Sequence, residues 1–187
     1  WKLRKEFFGP ELAFLPMTME GAMRNDQDLF DLGFISILPS DESGRAVMYW
    51  NRVACTSDVA PRYAFLRVLF YNGQVALEMQ DAPTNGFVLL YNARGFDLYR
   101  HFDRILMKKV LKMTEAFPYL VRGFHMITGS GRSVLGLVLP VLKQVIGQVY
   151  RHRLRVHAGS DKEIVDRLSD YDIIASSVPS SFGGDWH

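Results

Sequence analysis

Thr128 to Ser133, "TGSGRS", sets two glycines, three hydroxyls and one cation between an apolar run ending at Ile127 and another opening at Val134. A turn of this kind can cradle a phosphate or present a nucleophile, and each chemistry requires its own spacing. A dinucleotide fingerprint, G-x-G-x-x-G, needs a third glycine for close helix–strand packing, and Val134 stands there. Gly131 and Gly136 have the spacing of a phosphate-binding P-loop, but Leu137 and Val138 follow in place of the lysine and hydroxyl that hold phosphate and magnesium. Ser130 is flanked directly by Gly129 and Gly131, so the nucleophile elbow G-x-S-x-G is absent. The glycine pair therefore reads as a turn.

The remaining reactive residues are equally sparse. His101, His125, His152, His157 and His187 show no metal spacing with carboxylates or cysteine, so neither a metal nor a cofactor is expected. His125 lies in an apolar strand-like run and has two readings, a satisfied core histidine or a group that polarises a ligand hydroxyl. The single Cys55 cannot form an internal disulfide, which fits a reducing compartment. With 22 Lys and Arg against 20 Asp and Glu, the net charge of +2 gives no general attraction to nucleic acid. Basic residues do cluster locally. Arg100, Arg104, Lys108 and Lys112 recur at i+4, either as a face drawn to anionic lipid or as a solvated stripe relieved by Asp97 and Asp103. Arg151, Arg153 and Arg155 point to one side of the last strand-like run, opposite Leu154 and Val156.

The elements that must position these residues alternate between strand and helix patterns from Arg45 onward, the order of an α/β fold with a mostly parallel sheet. A 187-residue chain, 48% hydrophobic and 22% charged, has the size of one domain and should fold. "AVMYWNRV" from Ala46 is the first strand, entered by a turn in which Gly44 suits a positive φ. Ser57 or Asp58 caps a helix with Pro61 near its first turn, and Leu66, Leu69, Phe70, Gly73 and Leu77 give it one apolar face to about Met79. "FVLLY" from Phe87 is a buried strand. A second helix is expected to start near Asp97, with Leu98, Phe102, Ile105, Val110, Met113 and Phe117 on its apolar face and Pro118 at its end. "GFHMI" from Gly123 and "RLRVH" from Arg153 are further strands, and "SDKEIVDRL" carries a capping box for a closing helix. Before Pro39 the pattern is mixed. "WKLRKEFFG" is charged where a signal peptide needs an apolar core, so the chain reads as a domain of a longer protein, and no apolar run approaches the ~20 residues of a membrane span.

"SVLGLVLPVLKQVIGQV", from Ser133, is apolar on nearly every side, so such a helix must be buried in a core, in a membrane or against a ligand. Gly136 and Pro140 weaken it internally. A lid that swings and a kinked helix packed permanently on the sheet are both compatible with this segment.

Five segments in order, "GRAVMYWNR", "NGFVLLYNARGF", "AFPYLVRGFHMI", "RLRVHAGS" and "VPSSFGG", resemble the CRAL-TRIO lipid-binding domain of tocopherol-transfer, retinaldehyde-binding and phosphatidylinositol-transfer proteins. The likeness runs from about Gly44 to Trp186, which makes residues 44–187 the expected lipid-binding domain. Residues 1–43 become a lead-in, with "WKLRKEFF" similar to the tail of the helical module that precedes this domain in the family. The resemblance implies a sheet flooring an apolar pocket, flanked by helices and closed by a mobile gate helix over Ser133 to Val145. It assigns Val134, Leu137, Val138 and Leu142 to the gate, and Leu66, Leu69, Phe70, Gly73, Phe87, Leu89, Tyr91, Met113, Phe117, Phe124 and Met126 to the pocket wall. Arg122, Arg153 and Arg155 are the expected contacts to an anionic headgroup or membrane.

Some positions depart from the family pattern. Thr128, Gly129 and Ser130 replace an Asn-x-Pro, Tyr119 stands where phosphatidylinositol-transfer members carry Glu, Asn92 replaces an Asp, and Ser181 replaces the Glu of the closing pattern. Tyr119 argues against the classical phosphatidylinositol site. The expected function is non-enzymatic binding and intermembrane transfer of one hydrophobic lipid (phospholipid, tocopherol, retinoid or sterol-like) by a cytoplasmic protein. It would meet an anionic or phosphoinositide-rich membrane surface transiently, as a peripheral protein. The alternative is a lipid-sensing or protein-interaction module of a larger signalling protein.

Overall fold

The computed structural model describes residues 1–51, 54, 61–78, 82–95, 103–118, 120–129 and 151–187. Five strands form one sheet in chain order: β1 (Ile35–Leu38), β2 (Ala46–Asn51), β3 (Phe87–Asn92), β4 (Val121–Thr128) and β5 (Leu154–Ala158). β1 runs antiparallel to β2, and the other neighbours are parallel. The four strands expected from the sequence are present, and β1 adds an edge from the segment whose pattern was mixed. Gly44, at φ 69°, closes the β1–β2 turn as its composition predicts. Within that turn the buried Asp41 carboxylate accepts from the Arg45 backbone N–H at 2.9 Å and from its Nε at 2.6 Å.

The sheet is covered on both faces, and each face has its own core. On one side lie α1 (Lys2–Leu12), α3 (Arg62–Glu78) and α5 (Arg104–Ala116), packed on Met48, Trp50, Tyr91 and Met126. On the other lies α6 (Asp161–Ser169), with Ile164 and Leu168 on Val47, Val88, Leu90 and Ile127 beside the closing turn residue Phe182. Period-2 alternation sends neighbouring strand residues to opposite cores, so "FVLLY" has to be apolar throughout.

α1 breaks at Gly9, whose φ of 71° favours glycine, and Pro10 then opens a new turn where its missing N–H is not needed. The short α2 (Gln27–Asp31) and α4 (Ala82–Asn85) complete the described helices. α3 follows Pro61, whose carbonyl accepts from Phe65 N–H at 3.1 Å. It buries more than the single face read from sequence: Phe65, Val68, Asn72 and Ala76 are buried along with Leu66 and Leu69, because the helix packs on both sides, Phe65 against Phe34 and Trp50 and Phe70 against Phe7 and Phe8 of α1.

Two expectations for the second helix need correction. α5 begins at Arg104, because the extended Asp103 caps it by accepting from the Ile105 and Leu106 N–H groups, both at 2.9 Å; Asp97, Leu98 and Phe102 lie outside the described residues. Ile105, assigned to the apolar face, is 55% exposed, and the inward face runs through Leu106, Val110, Met113 and Phe117. Leu106, Val110, Met113 and Phe117 step by four, three and four residues and share one side, whereas Ile105 lies five residues before Val110 and falls off that stripe. The Ser160–Glu163 capping box of α6 forms as its sequence specifies.

Candidate functional site

The wall residues predicted within the described segments come together on the α3/α5 face of the sheet. Leu66, Leu69 and the half-buried Phe70 project from α3. Phe87, Leu89 and Tyr91 of β3, with Phe124 and Met126 of β4, form the floor, and register places Leu89 beside Phe124 and Tyr91 beside Met126. Met113 and Phe117 close the side from α5, Phe117 standing 5.1 Å from Phe70 between ring centroids. Gly73 is buried on α3. The gate residues Val134, Leu137, Val138 and Leu142 lie outside the described residues, as do Tyr119 and the "GRS" half of the glycine turn.

Sequence reasoning missed part of this wall. Met48 and Trp50 of β2 alternate onto the same face and could have been found from the period of "AVMYWN". Phe7 and Phe8 of α1 meet Phe70 edge-on at 6.5 and 5.6 Å, a contact between segments far apart in sequence that no local pattern announces.

Three features distinguish this face from a solid core. Leu89 and Phe124, neighbours on the middle of the sheet, are only half-buried, whereas Val88, Leu90 and Ile127 opposite are fully buried. The Trp50 indole N–H is buried without an acceptor among the described residues. A groove of about 270 Å³, lined by Leu3, Arg4, Phe70, Gln74 and Phe117, reaches the α1 end of the cluster. That volume is below the ~300–1,000 Å³ of ligand pockets, so the groove alone does not hold a lipid.

The opposite face holds the buried histidines. His125 Nδ1 lies 3.0 Å from His157 Nε2, with the rings stacked and Tyr171 edge-on to both. This overturns the reading of His125 as a group that polarises a ligand in the pocket. Alternation turns it away from Phe124 and Met126, and its partner is another histidine. Burial, aided by the charges of His157, Arg45 and Arg155, pushes the His125 pKa down to about 3. His157 is lowered too, chiefly by burial. The two family departures Asn92 and Ser181 meet on this face at Tyr49. Burial raises the Tyr49 pKa against hydrogen bonds with both side chains.

The basic residues have specific partners. Arg122 Nε donates to Asn85 O at 3.1 Å, and Arg153 donates to Val121 O at 2.6 Å, so both sit at the amino-terminal ends of the parallel strands. Arg122 remains exposed. Arg155 donates to His152 O at 2.8 Å and lies over the Tyr171 ring, on the histidine face. In the α5 stripe, Lys112 lies 3.8 Å from Glu6 of α1, which also bonds Lys109; this bond lowers the Glu6 pKa. Asp103, one of the two acids expected to relieve the stripe, pairs instead with Arg62 at 2.7 Å; Asp97 lies outside the described residues. Among the described residues no three His, Cys, Asp or Glu side chains are grouped to hold a metal, and no helix is long and apolar enough to cross a membrane.

The chain matches the CRAL/TRIO domain over residues 31–184. The match takes in all five strands, while Leu3, Phe7, Phe8 and Leu12 of the α3/α5-side core precede it.

Proposed function

The chain belongs to the CRAL/TRIO domain family, whose members generally bind and carry lipids, and from that premise we propose that it takes up one hydrophobic lipid on the α3/α5 face of its sheet and transfers it between membranes. The observation that carries this reading is the incomplete cover over Leu89 and Phe124 in the centre of the sheet, within a ring of apolar residues from α3, β3, α5 and β4. A lipid chain lying there would bury both side chains, at about 1.5–3 kcal/mol for each large apolar group fully withdrawn from water. The segment Ser133–Val145 acts as the gate in this proposal, its Val134, Leu137, Val138 and Leu142 shielding the lipid when closed and meeting the bilayer when open. Arg122 and Arg153, with Arg155 on the neighbouring face, attract the anionic membrane surface. The protein works as a carrier without chemistry, from the cytoplasm, meeting the membrane peripherally.

Organic extraction of purified protein followed by mass spectrometry should recover one lipid per chain, and the protein should speed exchange of that lipid between donor and acceptor vesicles. Leu89→Trp and Phe124→Trp, which fill the floor, should each lower uptake at least about tenfold while the fold persists. Preparations that stay empty when offered sterols, tocols, retinoids and phospholipids would refute the carrier. Binding without accelerated exchange would make the protein a lipid sensor.

A further inference from the structure

Among the described residues two buried side-chain donors lack a partner, Arg4 Nε at the α1 end of the groove and the Trp50 indole on the sheet. Trp50 is 4% exposed, and its Nε1–H finds no acceptor among the described residues. Indole is a donor only, and buried tryptophans usually place this N–H on an acceptor. Phenylalanine would pack here without leaving a donor unsatisfied, so the donor at this position calls for an acceptor from elsewhere. No described residue accepts from it, and the ring meets Phe65 at 5.2 Å and Tyr91 at 5.3 Å, centroid to centroid. Tyr91 in turn lies 6.0 Å from Phe124, so Trp50 is two ring contacts from the half-covered floor. Register sets Trp50 beside Tyr91 and Tyr91 beside Met126, one row before the carboxyl-terminal edge of the sheet, where ligands of parallel sheets usually meet the chain.

We propose that Trp50 is the hydrogen-bond donor of the lipid site and that the cargo carries an acceptor oxygen, as a hydroxyl, carbonyl or ester, which it places against the Trp50 N–H. This inference rests on the carrier reading above and narrows it, since a pure hydrocarbon of the same shape would leave the donor unpaired. The hydrogen bond fixes which end of an otherwise apolar guest enters first. It gives an apolar cavity a selectivity that shape alone does not supply.

The test offers wild-type protein and Trp50→Phe vesicles doped with three probes of one skeleton: retinol, retinal and the corresponding deoxygenated hydrocarbon. The fraction of each extracted is measured. Wild type should prefer the oxygen-bearing probes over the hydrocarbon by at least about fivefold more than the variant does, as expected for a buried donor left unpaired. The comparison of retinol with retinal separates hydroxyl from carbonyl. Because Trp50→Phe can perturb packing, a second measurement uses wild type alone, with the indole N–H proton followed by nuclear magnetic resonance in ¹⁵N-tryptophan-labelled protein. It should shift downfield on loading an oxygen-bearing probe and stay in place with the hydrocarbon. Equal discrimination by a folded variant, or an indole proton already at a hydrogen-bonded position in lipid-free protein because water occupies the site, would overturn the Trp50 assignment and leave the carrier intact. Failure of wild type to take up any of the three probes, or any sterol, tocol or phospholipid, would overturn the carrier and this inference with it.

Discussion

Removing Asp26 should destabilise the whole domain. Asp26 and Arg67 form a two-pronged ion pair, with Nε to Oδ2 and a terminal guanidinium nitrogen to Oδ1 both at 2.6 Å, and Arg67 also reaches Phe7 O at 3.3 Å. The Asp26 side chain is 2% exposed and that of Arg67 18%, so each depends on the other for charge compensation. The pair binds the α1–α2 region to α3, a wall of the proposed cavity. Breaking a buried pair by deleting one partner costs about 3–5 kcal/mol, because a charge is left uncompensated in a medium that solvates it poorly. For a chain of this size that corresponds to roughly 6–20 °C in Tm. Asp26→Ala, Arg67→Ala and the double variant would be compared by urea denaturation, with Asp26→Leu/Arg67→Met as an apolar replacement. The replacement should regain most of the stability lost in Asp26→Ala, since it leaves no lone charge. A cost below about 1 kcal/mol for Asp26→Ala, or a double alanine variant that loses the sum of the two singles, would show that the pair is not coupled as its geometry requires. The α1–α2 region would then be loosely attached to α3 instead of part of the folding unit.

Two further predictions follow from charged and titrating groups. With its folded-state pKa near 3 against about 6.5 unfolded, His125 binds fewer protons folded than unfolded between those values. Stability should therefore be full above about pH 6.5 and fall with pH, by on the order of 2 kcal/mol from pH 7 to pH 5. A urea midpoint that moves as much in His125→Leu as in wild type would count against this origin. Arg122→Gln should weaken binding to anionic vesicles about fivefold in low salt, and Arg122→Glu with Arg153→Glu should weaken it more, with the difference shrinking as salt rises. Unchanged binding at low salt would remove these arginines from the membrane contact.

The legible parts of this fold were those with local signals. The β2, β3 and β4 runs, the Gly44 turn and the Ser160–Glu163 cap each declare themselves within a few residues, and all are present. The residues of the proposed wall gather on one face, Leu66, Leu69 and Phe70 through a helical period and Phe87, Leu89 and Tyr91 through the family resemblance, since an unbroken apolar run such as "FVLLY" does not itself say which side faces a guest. What escaped depends on distant partners. β1 exists because it can pair with β2, and α1 is buried because Phe7 and Phe8 find Phe70. The helix expected from Asp97 illustrates competition between signals: a hydrophobic period extended backward looked continuous, but the Asp103 carboxylate capturing two amides is what sets the helix start. His125 shows that a residue's type suggests a role, while strand parity decides which side can use it.

The sheet separates two cores, and it can act as a bulkhead. Behind it, Val88, Leu90 and Ile127 join Ile164, Leu168 and Phe182 in a tightly closed compartment that keeps the strands in register. On the carrier reading, the compartment in front is thereby relieved of that duty and would change its contents without the frame losing alignment. Altered cargo preference could therefore arise by substitution on the forward side alone, with the keel behind left untouched.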